Sequence, residues 1–491
     1  MKVLFLYPNK WGRGITPIWL ASHNGLLKKF GFQTDLFDCT FFSKWSDMEI
    51  SINTKNEQFE QSDYLKKIKF YDEDVFKELQ KKIDSYSPDI IFFSAISSHI
   101  HGEGEYININ YGNQLIEKIT TDALIIAGGI QSTASPTEIL NTMPKIDALI
   151  MGESELILKN ICSLVSQNKN FKNEPGIVFR DGKRCIKNKP QKILESLDII
   201  SPYDYSIFSD QSFLRPYNGE VVKAIDYEIS RGCIYTCSYC VETIIQKYYG
   251  FDEYNSNGAL KNFKNYLRNK SAKVAFNEIK FLNKNLGIEV FRLQDTNFLT
   301  INNKMLKELA ILIKNSELNI KLYIETRAEG INDKSIELLK DLKVDGVGMG
   351  IELSDQKYRQ KILNRFIDET KIISAFNKLK ENGINRTAYN IIGLPNQTEE
   401  SIIETIKFNI KLNPDVSSVA YYSIYSGTSL EKIAKTNFKQ NDKFDMDAQI
   451  RGKIKNHELS MRLLDFYKSN FSRLIKNKLQ NIDQLKKSFG I

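Results

Sequence analysis

Ser230-Arg231-Gly232-Cys233-Ile234-Tyr235-Thr236-Cys237-Ser238-Tyr239-Cys240 places three thiols at C-x3-C-x2-C spacing, directly after a candidate strand, Asp226–Ser230. Thiolates are soft ligands suited to iron–sulfur clusters. Three of them on one short loop can hold three irons of a [4Fe–4S] cube and leave the fourth iron open to a cofactor or substrate. Zinc is the alternative reading, but it takes four ligands, commonly in two separated pairs. No fourth Cys or His lies near the triad, and the chain has only four histidines. The other cysteines, Cys39, Cys162 and Cys185, are scattered, which does not suggest a disulfide framework.

Downstream of the triad, short apolar runs alternate with helical patterns. The strands expected are Val290–Leu293, Lys321–Glu325, Gly346–Gly350, Thr387–Ile392 and Val419–Ile424. Helices near Lys304–Asn315, Asp333–Leu342, Ile372–Asn382 and Glu399–Leu412 separate them. With Asp226–Ser230 these make six βα units, a partial TIM-like (β/α)6 barrel whose site lies at the carboxyl ends of its strands. Upstream, strands are expected at Val3–Tyr7, Gln33–Phe37, Ile90–Phe93, Ala123–Ala127 and Ala148–Met151. Helices alternate with them, as in a doubly wound, Rossmann-like parallel sheet. Runs such as Asp89-Ile90-Ile91-Phe92-Phe93 are continuously apolar, as strands buried on both faces are. The stretch Ser43–Tyr71 reads as an insertion or long loop, or else as a pair of exposed helices. Gly176–Phe179, Asp181-Gly182 and Cys185-Ile186 read as a β-hairpin with a D-G turn. The expected division is an N-terminal α/β domain at 1–165, a connector with that hairpin at 166–220, the barrel at 221–430 and a helical C-terminal segment at 431–491. In the last, Leu463, Leu464, Tyr467, Phe471, Leu474 and Ile475 form an apolar stripe. It is expected to pack on the same chain across the barrel mouth rather than on a membrane.

The chain of 491 residues has 42% hydrophobic and 26% charged residues, the composition of a globular protein of more than one domain. Its net charge of +8 comes from 68 basic and 60 acidic residues scattered along the chain, so nucleic-acid binding is not implied. No secretory leader and no apolar run of transmembrane length are evident, and the protein is expected to be cytoplasmic.

The triad and its surroundings resemble those of radical S-adenosylmethionine (SAM) enzymes, where an aromatic residue precedes the third cysteine, as Tyr239 does here. In that family the open iron chelates SAM, and an electron from the cluster cleaves SAM to a 5′-deoxyadenosyl radical. Further segments carry the resemblance. Val290-Phe291-Arg292-Leu293-Gln294-Asp295 resembles the second strand, with Asp295 in place of the usual Gly-Gly-Glu. Gly350-Ile351-Glu352-Leu353-Ser354 resembles the segment that faces the SAM ribose or methionine part, where a carboxylate can accept two hydroxyl hydrogen bonds. Arg327 follows the third strand, where it can pair with the SAM carboxylate. Ile391-Ile392-Gly393-Leu394-Pro395 resembles the turn packed on adenine, and Gly427-Thr428 the pair after the sixth strand. The resemblance thus implies SAM contacts for Tyr239, Asp295, Arg327, Glu352, Gly393 and Pro395, and a reducing partner such as flavodoxin or ferredoxin.

The N-terminal part resembles cobalamin-binding domains of cobalamin-dependent radical SAM enzymes. Ser94-Ala95-Ile96-Ser97-Ser98 matches the hydroxyl-rich loop after the third strand, and Gly128-Gly129 the glycine pair after the fourth. Ile146–Glu155, with Glu153, resembles the acidic segment after the fifth strand. The D-x-H-x-x-G motif is missing from the loop Tyr7-Pro8-Asn9-Lys10-Trp11-Gly12, so no histidine of that loop is expected below cobalt; Asn9 stands there instead. His99 and His101 are more simply solvated loop residues than cobalt ligands. The resemblance implies Asn9, Ser94, Ser97, Ser98, Gly128, Gly129 and Glu153 as cobalamin contacts. It also implies a methyltransferase acting on an unactivated carbon of a small molecule through the 5′-deoxyadenosyl radical and methylcobalamin. The alternatives are a ring closure, rearrangement or oxidation without methyl transfer, and a non-catalytic corrinoid-binding protein. A methylthiotransferase needs three N-terminal cysteines, and only Cys39 and Cys162 lie there. Lys247, Tyr248 and Tyr249 either face the substrate or are structural.

Overall fold

The computed structural model describes residues 1–95, 108–438 and 459–491. Ser97, Ser98, His99 and His101 therefore lie outside the described residues. No helix among those described is long and apolar enough to cross a membrane.

The N-terminal sheet is built on β1 (Lys2–Tyr7), β2 (Gln33–Asp38), β3 (Ile90–Ala95), β4 (Leu124–Gly129) and β5 (Ala148–Ile150), all parallel. Every side chain from Val3 to Tyr7 is buried, and so is every one from Ile90 to Phe93. Both faces of the sheet are covered by helices, as the unbroken apolar runs require. The hairpin β6 (Ile177–Asp181) and β7 (Arg184–Lys187) corrects one expectation. It is no separate connector, because β6 pairs antiparallel with β5 and completes a seven-stranded sheet of order β2-β1-β3-β4-β5-β6-β7. Ile177 and Val178 are fully buried there. The Arg180 guanidinium donates to the carbonyls of Leu140, Met143 and Ile146 at 2.6–3.2 Å, closing the end of the helix Pro136–Thr142.

The second sheet contains β8 (Leu214–Tyr217) and β9 (Glu220–Tyr227). A two-stranded ribbon follows, β10 (Ser230–Arg231) with β11 (Arg268–Asn269), and then β12 (Val290–Leu293), β13 (Lys321–Glu325), β14 (Val344–Glu352), β15 (Asn385–Ile392) and β16 (Val416–Tyr421). Its order β16-β15-β14-β13-β12-β9-β8 is a sequential run of six parallel strands with one antiparallel strand at the edge. This is the expected partial barrel, with one shift. The first strand begins earlier and ends at Tyr227, because Asn218-Gly219 makes a tight turn that pairs β9 with β8. Ser230 and Arg231 then leave the barrel to pair with β11.

The open side of the barrel is closed by two segments. The stretch 43–71 contains two short helices, Glu49–Lys55 and Tyr64–Lys67, largely exposed as the alternative reading expects and anchored on the chain by Glu49, Ile50 and Tyr64. Tyr64 is buried and accepts the Gly14 N–H at 2.8 Å, and Glu49 pairs with Arg13 at 3.0 Å. The C-terminal helix Met461–Lys476 buries Leu464, Phe466, Tyr467, Phe471 and Leu474 against Ile392, Ile402, Ile406 and Val419. It covers the free edge of β16, with the Ser472 hydroxyl donating to the Ser417 carbonyl at 2.8 Å, and does not lie across the carboxyl mouth. A last strand leaves one edge unpaired, and an amphipathic helix is one way to cover it. The two closing segments meet at Arg473–Glu57, 2.8 Å apart.

Candidate functional site

The cysteine loop leaves the ribbon at Gly232, whose φ is +97° and whose Cβ would lie 2.5 Å from the Tyr266 carbonyl oxygen, so glycine is required. All three thiols are free, with Cys233 and Cys237 buried and Cys240 half-buried. The loop is braced at both ends. Gln246 donates to the Cys233 and Tyr235 carbonyls, each at 3.0 Å. Ser238 and Asn364 tie residues 236–238 to residues 362–364. Burial, with Glu242 nearby, pushes the Cys233 thiol up to about 12. Such a thiol gives up its proton only to a strongly bound cation, as metal ligation provides. Among the described residues no three His, Cys, Asp or Glu side chains gather closely enough for a single metal ion. Three thiols along one loop are instead the donor set of a [4Fe–4S] cube with one open iron, so the loop fits that group.

Two of the residues expected at SAM, Arg327 and Glu352, touch this loop. Arg327 places Nη1 3.6 Å from Cys237 Sγ, lies 3.7 Å from the Tyr235 ring centre and pairs with Glu329. Glu352 ends β14 at φ +63° and is buried. Its Oε1 accepts from the Tyr239 hydroxyl at 2.7 Å and pairs with Arg365 Nη1 at 3.3 Å. Arg365 also donates to the Gly350 carbonyl at 2.5 Å, fixing the strand end on which Glu352 turns. Gly393 and Pro395 lie in the turn after β15, where the Gly393 N–H donates to Gln397 and the Pro395 carbonyl accepts from Tyr358. Asp295 is engaged otherwise. Its carboxylate accepts the backbone N–H groups of Ile229 and Ser230 and the Ser230 hydroxyl at 2.5–3.1 Å, holding the entry to the cysteine loop. Burial raises it to about 7.

The carboxyl edge of the N-terminal sheet faces this loop across a crevice of about 140 Å³. Ser94, Gly129, Ser154 and Glu153 lie on one side, and Ser230, Arg231 and Gly232 on the other. A buried hydroxyl and a glycine pair at a parallel-sheet edge are the residue types a large ring cofactor needs for close approach. Gly128, beside them, has the Phe92 ring 3.1 Å from where a Cβ would stand. Glu153 does more than line the crevice. It pairs with Arg268 at 2.6 Å and Arg231 at 3.4 Å and accepts the Leu194 N–H. Arg231 also binds Glu155 at 2.6 Å and Glu228 at 2.7 Å. A buried clasp thus joins the N-terminal sheet to the residue two before Cys233. Asn9 is fully buried, its amide engaged with Trp11 and Arg13 in its own loop and with Thr40 in the loop after β2. Tyr248 and Tyr249 prove structural, since their rings cap Gly152, and the Tyr249 oxygen accepts the Glu153 N–H at 2.9 Å. Lys247 donates to the Gly427 carbonyl at 2.9 Å. Gln246, Asn364 and Arg365 carry no motif and were not anticipated; only their place beside the loop reveals them.

Residues 227–408 match the Radical SAM superfamily. The chain is 24% identical over 362 residues to an uncharacterized methyltransferase, PH0819, of Pyrococcus horikoshii, covering 74% of this chain and 72% of that one. It is 26% identical over 501 residues to the anaerobic magnesium-protoporphyrin IX monomethyl ester cyclase of Rubrivivax gelatinosus, covering 97% and 78%. Among solved structures it resembles the radical SAM methyltransferase TsrM of Kitasatospora setae. The form with tryptophan and a SAM analogue gives a TM-score of 0.63 at 16% identity, covering 89% of this chain and 76% of that one. The form with cobalamin and a [4Fe–4S] cluster gives 0.62 at 15%, covering 89% and 75%.

Proposed function

This chain carries a radical SAM domain, and from that premise we propose that it is a cobalamin-dependent radical SAM methyltransferase acting on an unactivated carbon of a small molecule. The observation that carries the reading is the crevice, where residues flanking the cysteine loop, Arg231, Gly232, Val241 and Glu242, meet the carboxyl edge of a parallel sheet at Ser94 and Gly129. Bound at these two edges, a [4Fe–4S] cluster with SAM supplies a 5′-deoxyadenosyl radical and cobalamin supplies a transferable methyl group. Cys233, Cys237 and Cys240 hold the cluster. Arg327 offers a guanidinium beside Cys237 for the SAM carboxylate, and Glu352, fixed by Tyr239 and Arg365, accepts from the SAM ribose or amino group. Ser94 and the Gly128-Gly129 pair receive the corrin side. The Arg231 clasp keeps the two edges in register.

A second reading is ring closure or oxidation without methyl transfer, favoured by the cyclase of Rubrivivax gelatinosus, whose alignment covers 97% of this chain. One experiment separates the two. The protein is purified without oxygen, reconstituted with iron, sulfide and hydroxocobalamin, freed of loose corrin, reduced and supplied with SAM. The proposal expects visible corrin bands to remain with the protein and both 5′-deoxyadenosine and S-adenosylhomocysteine to form. Deoxyadenosine without S-adenosylhomocysteine selects the second reading. Loss of all corrin would remove both, leaving a radical SAM enzyme of another kind.

A further inference from the structure

Below the cysteine loop the barrel encloses a second, larger cavity of about 760 Å³. Its floor and open side are formed by the two closing segments, residues 49–60 and 465–469, and by the β8–β9 turn. A volume of this size holds a ligand of several rings. The space exists because Gly346 and Gly348 on β14 leave the barrel interior to the rings of Tyr323 and Tyr389, which would stand 2.6–2.8 Å from any Cβ there. Trp11, Tyr217, Tyr323, Tyr389 and Tyr421 all line the cavity, so aromatic faces and edges stand on several of its sides.

The charged groups in these walls are mostly matched. Arg386 binds Asp415 through two nitrogens at 2.9 and 3.0 Å, Arg13 pairs with Glu49, and Arg215 with Asp226. Asp465 accepts the Tyr421 hydroxyl, and Lys468 donates to the Val419 carbonyl. Glu60 is at the outer end. Arg215 Nε and Nη1 and Arg386 Nη1 are buried without a partner among the described residues. Arg292 is the more open of these cations: it projects from β12 inside the barrel over the Tyr323 ring, its side chain is still 22% exposed, and its ion pair to Glu325 is long at 3.4 Å. A guanidinium offers five donors in a plane, so a cavity-facing one in this state is suited to an anionic group.

The cavity is stacked beneath the crevice along the same strands. Val290 and Arg292 of β12 line the cavity, while Gln294, about 7 Å further along the strand, lines the crevice. Ala224 of β9 faces the cavity and Glu228, just past the end of that strand, the crevice, and Asp226 between them binds Gln294 at 2.8 Å. We propose that this chamber binds a planar aromatic organic anion, its rings between the tyrosines and its carboxylate or other acidic group on Arg292. That this ligand is the substrate rests on the radical SAM reading; the binding itself does not.

The test uses the full chain with its cluster reconstituted, under nitrogen, and two fluorescent probes. One is anilinonaphthalene sulfonate; the other is phenylnaphthylamine, the same ring system without the acid. The expected result is one sulfonate site per chain, at least tenfold tighter than the amine. Arg292→Ala should erase that preference, and Ala420→Trp, which narrows the cavity from β16, should weaken binding of both dyes. Circular dichroism and melting of each variant check that it is folded. Equal affinity for the two dyes, a preference untouched by Arg292→Ala, or full binding in Ala420→Trp would overturn the proposal. Deoxyadenosine formation, measured on the same samples, reports separately on the radical SAM reading.

Discussion

Replacing Glu155 by Gln tests the clasp that joins the two halves of the site. Glu155 is buried; its Oε1 lies 2.6 Å from Arg231 Nη2 and 3.1 Å from the Ser22 hydroxyl. Burial alone would raise its pKa, but the Arg231 guanidinium pulls it down from 4.5 to about 2. His23 contributes little to this at neutral pH, because burial lowers its own pKa and leaves the ring uncharged. A depressed carboxylate stabilises the fold above its unfolded pKa, and that stability is lost as pH falls from about 4.5 through about 2. The depression corresponds to up to ~3 kcal/mol at pH 7, all of it present there. Glu155→Gln should therefore lower unfolding stability at pH 7 by ~2–3 kcal/mol, read from urea midpoints of the whole chain under nitrogen. The gap should narrow as pH drops from 5 toward 3. A variant within ~0.5 kcal/mol of the parent at pH 7 would mean that Arg231 gains nothing from this carboxylate beyond Glu228 and Glu153. A gap that widens in acid would contradict the sign of the linkage.

Asp295 has the opposite sign. Its folded pKa of about 7 lies above the unfolded value of 3.8, so its stabilising share is present below about 4 and is lost as pH rises through 7. Asp295→Asn keeps an oxygen for Ile229 and Ser230, and its stability relative to the parent should grow between pH 5 and 8 in the same urea assay. Glu352→Gln loosens the contact with Arg365 and should weaken SAM binding about tenfold, measured by equilibrium dialysis with cluster content unchanged. Gly152→Ala drives a methyl group to within 2.4 Å of the Tyr249 oxygen and 2.7 Å of the Tyr248 ring, and should cost ~1–3 kcal/mol in the urea midpoint. An unshifted midpoint would mean that the two rings move aside freely.

Strand positions were legible wherever one strand forms from one apolar run. β12 and β13 fall where expected to the residue, and β1 to β5 within two residues at either end. What the sequence hid was pairing over distance. Asn218-Gly219 is a hairpin signal that pairs β9 with β8, so the first barrel strand starts upstream of its expected bounds. The β6–β7 hairpin was seen, but only contact with β5, from a segment 26 or more residues upstream, assigns it to a sheet.

The same division runs through the site. Three cysteines act as a set because they sit on one loop, and spacing alone is enough to group them. A carboxylate is different, because its role depends on which cation or N–H reaches it, and those partners are remote. Glu153 was expected at a cofactor and is held by Arg268, 115 positions away; Asp295 was expected at SAM and holds Ser230, 65 positions away. Glu352 lies where the resemblance put it, but what fixes it there, Arg365, belongs to no motif. Motif matching therefore names residues at the edges of this crevice but does not show which protein groups hold its acidic side chains. Asp295 and Glu153 both hold the segment that delivers Cys233, Asp295 through the backbone N–H groups of Ile229 and Ser230 and Glu153 through Arg231. A substitution at either should disturb the cluster before it disturbs any ligand, so iron content after reconstitution should fall first, with corrin retention following it.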